Sequence, residues 1–132
     1  MNKVVRLHDR HSPSKLLDAN AAHARIYCEW RHLPSFKSLS LLQRAILVDV
    51  LLEFTKLAGN ETRLTISGTM DRYGVGHISA KSAIAGLEER GWIERIGLSP
   101  GPTGQAGGRY KILCISPQGK PVSGPYRYWA PT

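Results

Sequence analysis

Apolar residues recur every three or four positions over three stretches of the chain, which predicts three main helices. The stretches are residues 15–31, residues 39–57 and residues 76–90. The middle one is apolar around most of its circumference, as expected of a helix that is central to a core or shared with a dimer interface. Ser38 or Ser40 can cap its N-terminus, and Gly59 follows its C-terminus.

Shorter elements lie between the second and third helices. A β-prone stretch at residues 63–66 predicts a strand. Ser67 can cap a brief helix, which Gly74 ends. Gly91 follows the third helix at the position where a left-handed residue commonly ends one.

Two alternating stretches near the C-terminus predict an antiparallel hairpin. They are residues 92–96 and residues 109–115, and the intervening residues 97–108 are rich in glycine and proline, which predicts a loop. Cys114 falls on the apolar face of the second strand, and Cys28 falls on the apolar face of the first helix. We expect both cysteines to pack as small core residues.

One segment carries a specific pattern of turn and helix residues. The turn Gly74-Val75-Gly76 precedes a helix that ends Leu87-Glu88-Glu89-Arg90-Gly91-Trp92-Ile93. With this motif and the order of the predicted elements, residues 38–116 resemble winged helix-turn-helix domains, and the motif is similar to that of MarR-like and GntR-like bacterial regulators. The chain departs from that family at Gly76, where serine or threonine is usual, so no side-chain oxygen is available to cap the helix.

The resemblance implies a fold that is mainly α with a small β-hairpin, a winged helix-turn-helix with an N-terminal helical extension. It divides the chain into a basic arm and helix (residues 1–37), the winged domain (residues 38–116) and a tail rich in proline and aromatic residues (residues 117–132). The third predicted helix would be the recognition helix, held to the core by Ala80, Ala83, Ile84 and Leu87.

The opposite side of that helix carries residues that suit DNA. These candidate contacts are His77, Ile78, Ser79, Lys81 and Ser82. Lys81 can bond to guanine acceptors or to a phosphate, the serines can bond to either, and Ile78 can touch a thymine methyl group. In the predicted wing, Arg109 is the candidate for a minor-groove contact.

The charge of the chain agrees with such a partner. The 18 Lys and Arg residues against 10 Asp and Glu residues give a formal net charge of +8, which attracts polyanions such as nucleic acid. The N-terminus lacks the apolar run of a signal peptide, and charged residues interrupt the most apolar stretch. Two cysteines do not make a disulfide framework. We therefore expect a soluble cytoplasmic protein with no membrane contact.

Other kinds of chemistry are not indicated by the sequence. The histidines and Cys28 of the N-terminal third fit no zinc-binding spacing. The turn at residues 74–76 lacks the third glycine of a dinucleotide fingerprint. No nucleophile with a base and no paired acid and base stand out. We predict a protein that is not an enzyme and that uses no metal, cofactor or small-molecule ligand.

The sequence thus predicts a sequence-specific double-stranded DNA-binding protein, most simply a transcriptional regulator that reads the major groove with residues 77–90. The alternatives are a replication or excision accessory factor of a mobile element, and a winged-helix protein–protein interaction module. A homodimer is expected, because the first two predicted helices have surplus apolar surface for a two-fold interface. Alternatively, the first helix covers the second within a monomer.

Overall fold

The structure, a computed structural model, describes residues 23–100 and 106–132, without the side chains of residues 98–100, 106 and 107. The predicted basic arm at residues 1–14 and the first half of the predicted first helix, up to residue 22, lie outside the described residues.

The described part of the chain contains four α-helices and a three-stranded antiparallel sheet, a mixed α/β arrangement. The helices are α1 (Pro34–Lys37), α2 (Leu41–Leu52), α3 (Ile66–Tyr73) and α4 (His77–Glu89). The strands are β1 (Glu61–Leu64), β2 (Ile93–Pro100) and β3 (Ala106–Ile112). Short 3-10 helices lie at Cys28–His32 and Pro125–Arg127. Within these ranges no helix is long and apolar enough to cross a membrane.

The predicted α-helix at residues 15–31 is wrong over its described part. Residues 23–27 are not helical, and Cys28–His32 form a single 3-10 turn. Leu33, which precedes Pro34, is extended, so the 3-10 turn does not continue into α1. The turn buries Trp30 in the core, whereas Cys28 is exposed, contrary to expectation.

Helix α2 begins as predicted but ends early. Ser40 forms a capping box with Gln43: the Ser40 hydroxyl accepts from the Gln43 N–H, and the Gln43 side chain accepts from the Ser40 N–H at 2.8 Å. The helix ends at Leu52 and not at Leu57, and after it the buried side chain of Asn60 donates to the carbonyls of Ile112 and Ile115. These two bonds draw the chain into a turn before β1.

The short helix α3 and the strand before it also begin earlier than predicted. Thr65, and not Ser67, caps α3, with its hydroxyl oxygen accepting from the Gly68 N–H at 2.9 Å. Strand β1 accordingly ends at Leu64. It pairs with β3, so the sheet has the order β1-β3-β2 and the predicted hairpin becomes part of a three-stranded sheet.

The predicted hairpin itself is confirmed, but its loop is much shorter than residues 97–108. Strand β2 continues to Pro100 and β3 starts at Ala106, because backbone pairing needs no side chains and the glycines of this segment join the ladder. Ile93 lies opposite Ile112, and the register shifts at a bulge between Arg95 and Gly97.

Helix α4 is confirmed, and the residue pair that follows it anchors the core. Its predicted apolar side, formed by Ala80, Ala83, Ile84 and Leu87, is buried. Gly91 then adopts a φ of +84° and Trp92 is fully buried. The Trp92 ring stacks on Tyr126 with centroids 4.5 Å apart and meets Trp30 edge-on at 5.0 Å. The core therefore contains aromatic side chains from the segments before and after residues 38–116.

The tight contact behind Gly91 predicts a large stability loss for Gly91→Ala. An added Cβ would lie 2.7 Å from the Tyr126 backbone nitrogen, and an L side chain is strained at this φ. Strain and overlap together should lower the free energy of unfolding by about 2–5 kcal/mol. Gly74→Ala is the matched control, because its φ is +65° but a Cβ would meet nothing within 4 Å. Urea unfolding in which both variants lose the same stability would contradict the overlap.

The two cysteines should differ sharply in reactivity. Burial raises the pKa of Cys114 to about 12, whereas Cys28 is exposed. The thiolate is the reactive form, so a thiol reagent at pH 8 should modify one cysteine in the native protein and two after denaturation. The variant Cys28→Ser should be unreactive until it unfolds. Equal reaction rates for both thiols in the native wild type would refute this assignment.

Candidate nucleic-acid interface

The turn between α3 and α4 sets where the candidate recognition helix begins. Gly74 ends α3 with a φ of +65°, and its N–H donates to the Met70 carbonyl at 2.9 Å. Only Val75 and Gly76 separate it from α4, and Gly76 is extended and offers no side-chain cap. The first N–H groups of α4 therefore lack the side-chain acceptor that serine or threonine would supply.

Five of the six predicted DNA-contact residues share the exposed face of α4. His77, Ile78, Ser79, Lys81 and Ser82 are all exposed, and the same helix buries its opposite face in the core. Ile78 is 82% exposed, so its apolar side chain is accessible to a partner on this face. One side of α4 is thus anchored in the core, and the other side exposes hydroxyl, cationic and apolar groups.

The exposed face of α4 carries no negatively charged side chain along most of the helix. Between His77 and Leu87 the sequence contains one lysine and no carboxylate. The partial positive charge of the helix dipole lies at the same N-terminal end, where the uncapped N–H groups point outward. A negatively charged ligand would therefore be attracted to the first two turns of α4 and would meet no fixed negative charge there.

Side chains of α2 hold both helices of this unit in place. The Gln43 amide donates to the Ala83 carbonyl at 3.4 Å, and a Cβ at Gly86 would overlap that amide, so α2 and α4 approach closely. The Tyr73 hydroxyl, at the end of α3, donates to Asp49, which also pairs with Arg72 at 3.4 Å. Burial and the Asp49 acceptor raise the pKa of Tyr73 to about 12. The phenol therefore stays a neutral donor that ties α3 to α2.

The sixth predicted residue, Arg109, is not brought together with the other five. It lies within β3 opposite Arg63 and Gly97, between the buried residues Gly108 and Tyr110, so its side chain is on the outer face of the sheet. There it forms an ion pair with Glu61. The structure thus gives Arg109 a cross-strand partner.

A cation that sequence reasoning missed is Arg95 on β2. It lies opposite Tyr110 on the face that carries the core residues, and it donates to the Tyr110 hydroxyl at 2.8 Å. That hydrogen bond raises the pKa of Arg95, and the nearby carboxylate of Glu88 on α4 adds a smaller effect. The sequence shows that residues 92–96 alternate, but only the pairing register of the sheet shows that Arg95 lies on the same face as Tyr110.

Comparison with protein-family models, with curated proteins and with solved structures finds no match. Among the side chains that the structure describes, no group of three or more His, Cys, Asp or Glu residues is arranged to hold a metal ion. The geometry of this chain's own residues is therefore what carries its functional interpretation.

Proposed function

We propose that this protein is a sequence-specific double-stranded DNA-binding protein of the winged helix-turn-helix class, with α4 as its recognition helix. The observation that carries the proposal is the exposed face of α4, which holds five polar, cationic or apolar contact groups and no carboxylate before Glu88. The order helix, strand, helix, glycine turn, helix and hairpin supports the same assignment.

The dimensions of the helix and of DNA support a major-groove contact. An α-helix with its side chains is about 10–12 Å across, and the major groove is about 12 Å wide. In this mode Ser79 and Ser82 bond to bases or phosphates, Lys81 meets a guanine or a phosphate, and Ile78 meets a thymine methyl group. The uncapped N–H groups at His77 and Ile78 face the phosphate backbone.

The hairpin supplies the second proposed contact. Strands β2 and β3 form an extended ribbon that projects as far as Pro100 and Ala106. Arg95 stands beside α4 at the base of this ribbon, where its guanidinium lies over the Tyr110 ring, 5.5 Å from the centroid. We assign Arg95 a phosphate contact in place of Arg109, which Glu61 already neutralises.

A transcriptional regulator is the simplest role for this binding mode. The same contacts would also suit a replication or excision accessory factor of a mobile element. Both roles would place the protein in the cytoplasm with chromosomal or element DNA. A protein–protein interaction module would behave differently, because phosphate contacts release counterions and make affinity fall steeply with salt. Salt dependence is therefore the measurement that separates the classes.

Replacing Lys81 tests the proposed interface. A site selected from genome fragments with the purified protein should bind Lys81→Ala about 1–3 kcal/mol more weakly if the residue reads a base. If Lys81 contacts a phosphate, the slope of log affinity against log salt should instead fall by about 1. The melting temperature should not change, because the side chain is exposed.

Lys56→Ala is the matched control, since Lys56 is exposed on the turn after α2, outside the interface. It should bind almost as the wild type does in fluorescence anisotropy titrations at several salt concentrations. Wild-type protein that shows no salt-dependent affinity for any selected fragment would overturn the proposed function.

The exposed Ile78 predicts that a thymine methyl group is read in the selected site. Replacing one contacted thymine by deoxyuridine removes that methyl group, which should cost about 0.8 kcal/mol, roughly fourfold in affinity. Ile78→Ala should bind the thymine and uracil sites equally. Lys81→Ala should bind both more weakly and keep the ratio. A wild type indifferent to uracil at every thymine would remove Ile78 from base reading.

A further inference from the structure

Helix α2 has a second apolar face, directly opposite the one it buries. Its inner side packs Ile46, Leu47, Val50 and Leu51 into the core. Its outer side carries Leu41, Ala45, Val48 and Leu52, which we call the outer stripe. Leu41 is 85% exposed and Leu52 is 60% exposed, with the two smaller residues half-buried between them. A surface helix normally places polar residues here, so the outer stripe has the character of a contact surface.

The outer stripe has the spacing of a helix–helix seam. Its members are separated by four, three and four residues, which is the a/d repeat of a heptad with Leu41 and Val48 at d and Ala45 and Leu52 at a. We propose that the outer stripe binds a second copy of this chain, with the two α2 helices side by side and parallel.

The charged residues that flank the outer stripe favour this partner and this direction. Arg44 lies on one side of it, at heptad position g, and Asp49 lies on the other, at position e. In a parallel pair, g of one helix faces e of the next heptad on the other helix, so Arg44 faces Asp49 of the second copy. An antiparallel pair would bring each charge toward its own symmetry mate, which is repulsive.

Both flanking residues keep capacity for such a contact. The Arg44 guanidinium donates through Nη2 to the carbonyls of Phe36 and Lys37 at 3.3 Å, and its Nη1 donates to no group in the described part of the protein. Tyr73 and Arg72 both approach Asp49 at Oδ2, so a second guanidinium would approach Oδ1.

The length of α2 limits how strong the association is. Twelve residues span about 18 Å, and four side chains bury less than the roughly 800 Å² per partner of a standard stable interface. The contact is therefore weak, with a dissociation constant in the micromolar to millimolar range. It forms between free proteins, so its test needs no DNA and its failure leaves the proposed DNA binding untouched.

Sedimentation equilibrium of the full chain from 10 µM to 1 mM tests the proposal. We expect the wild-type mass to rise from 14.6 kDa toward twice that value. The double variant Leu41→Glu, Leu52→Lys should remain monomeric, because a parallel pair would set glutamate against glutamate and lysine against lysine. Both changes suit the charge of the helix end they occupy, so the monomer should keep its fold.

The same variant distinguishes the direction of packing. An antiparallel pair would set each new glutamate against a new lysine and would associate more tightly, which would overturn the parallel arrangement. Leu57→Glu is the matched control, because Leu57 is 99% exposed and lies outside the outer stripe, and it should associate as the wild type does. A wild type that stays monomeric up to 1 mM would overturn the proposal, whether the outer stripe is then free or covered by its own chain.

Discussion

The rest of the structure depends on the burial of Trp92, because this side chain holds the N-terminal and C-terminal segments of the described chain together. Its ring packs against Tyr126 from the C-terminal segment and Trp30 from the N-terminal one, which also contact each other, and its indole N–H donates to the Ser35 carbonyl at 3.1 Å. Tyr126 is fixed in turn, because the Ser35 hydroxyl donates to its carbonyl at 2.6 Å. Since Trp92 follows the end of α4 by three residues, this cluster fixes one end of the candidate recognition helix and the direction of its exposed face.

Elements with strong local signals could be predicted from the sequence, and those set by distant contacts could not. The periodicity of α4 and the glycine after it define both its buried face and its end. The apolar pattern of α2 continues past Leu52, so nothing local reveals that hydrogen bonds from Asn60 to the last residue of β3 and to Ile115 hold a turn there. The expected first helix is replaced by a 3-10 turn that places Trp30 against Trp92, a residue 62 positions away.

The residues of the candidate site also fall into those that local sequence signals predict and those that depend on distant contacts. The five residues on α4 could be identified because helical spacing alone decides which side chains point away from Ala80 and Leu87. The partners of the two hairpin arginines could not be assigned, because strand alternation separates an apolar face from a polar one without giving the residue opposite each position. The bulge between Arg95 and Gly97 also shifts the register, so only the paired sheet places Arg95 beside Tyr110 and Arg109 beside Glu61.

Helix α2 connects the two surfaces proposed for this protein. One side of it holds α4 through Gln43, which bonds to the Ala83 carbonyl where Gly86 allows the helices to approach. The other side carries the outer stripe. A pair of chains joined at the outer stripe would therefore hold two recognition helices through packed helices, with no flexible linker between them. Their separation would then be fixed by side-chain packing, and two DNA half-sites would be read as one unit only at a matching spacing.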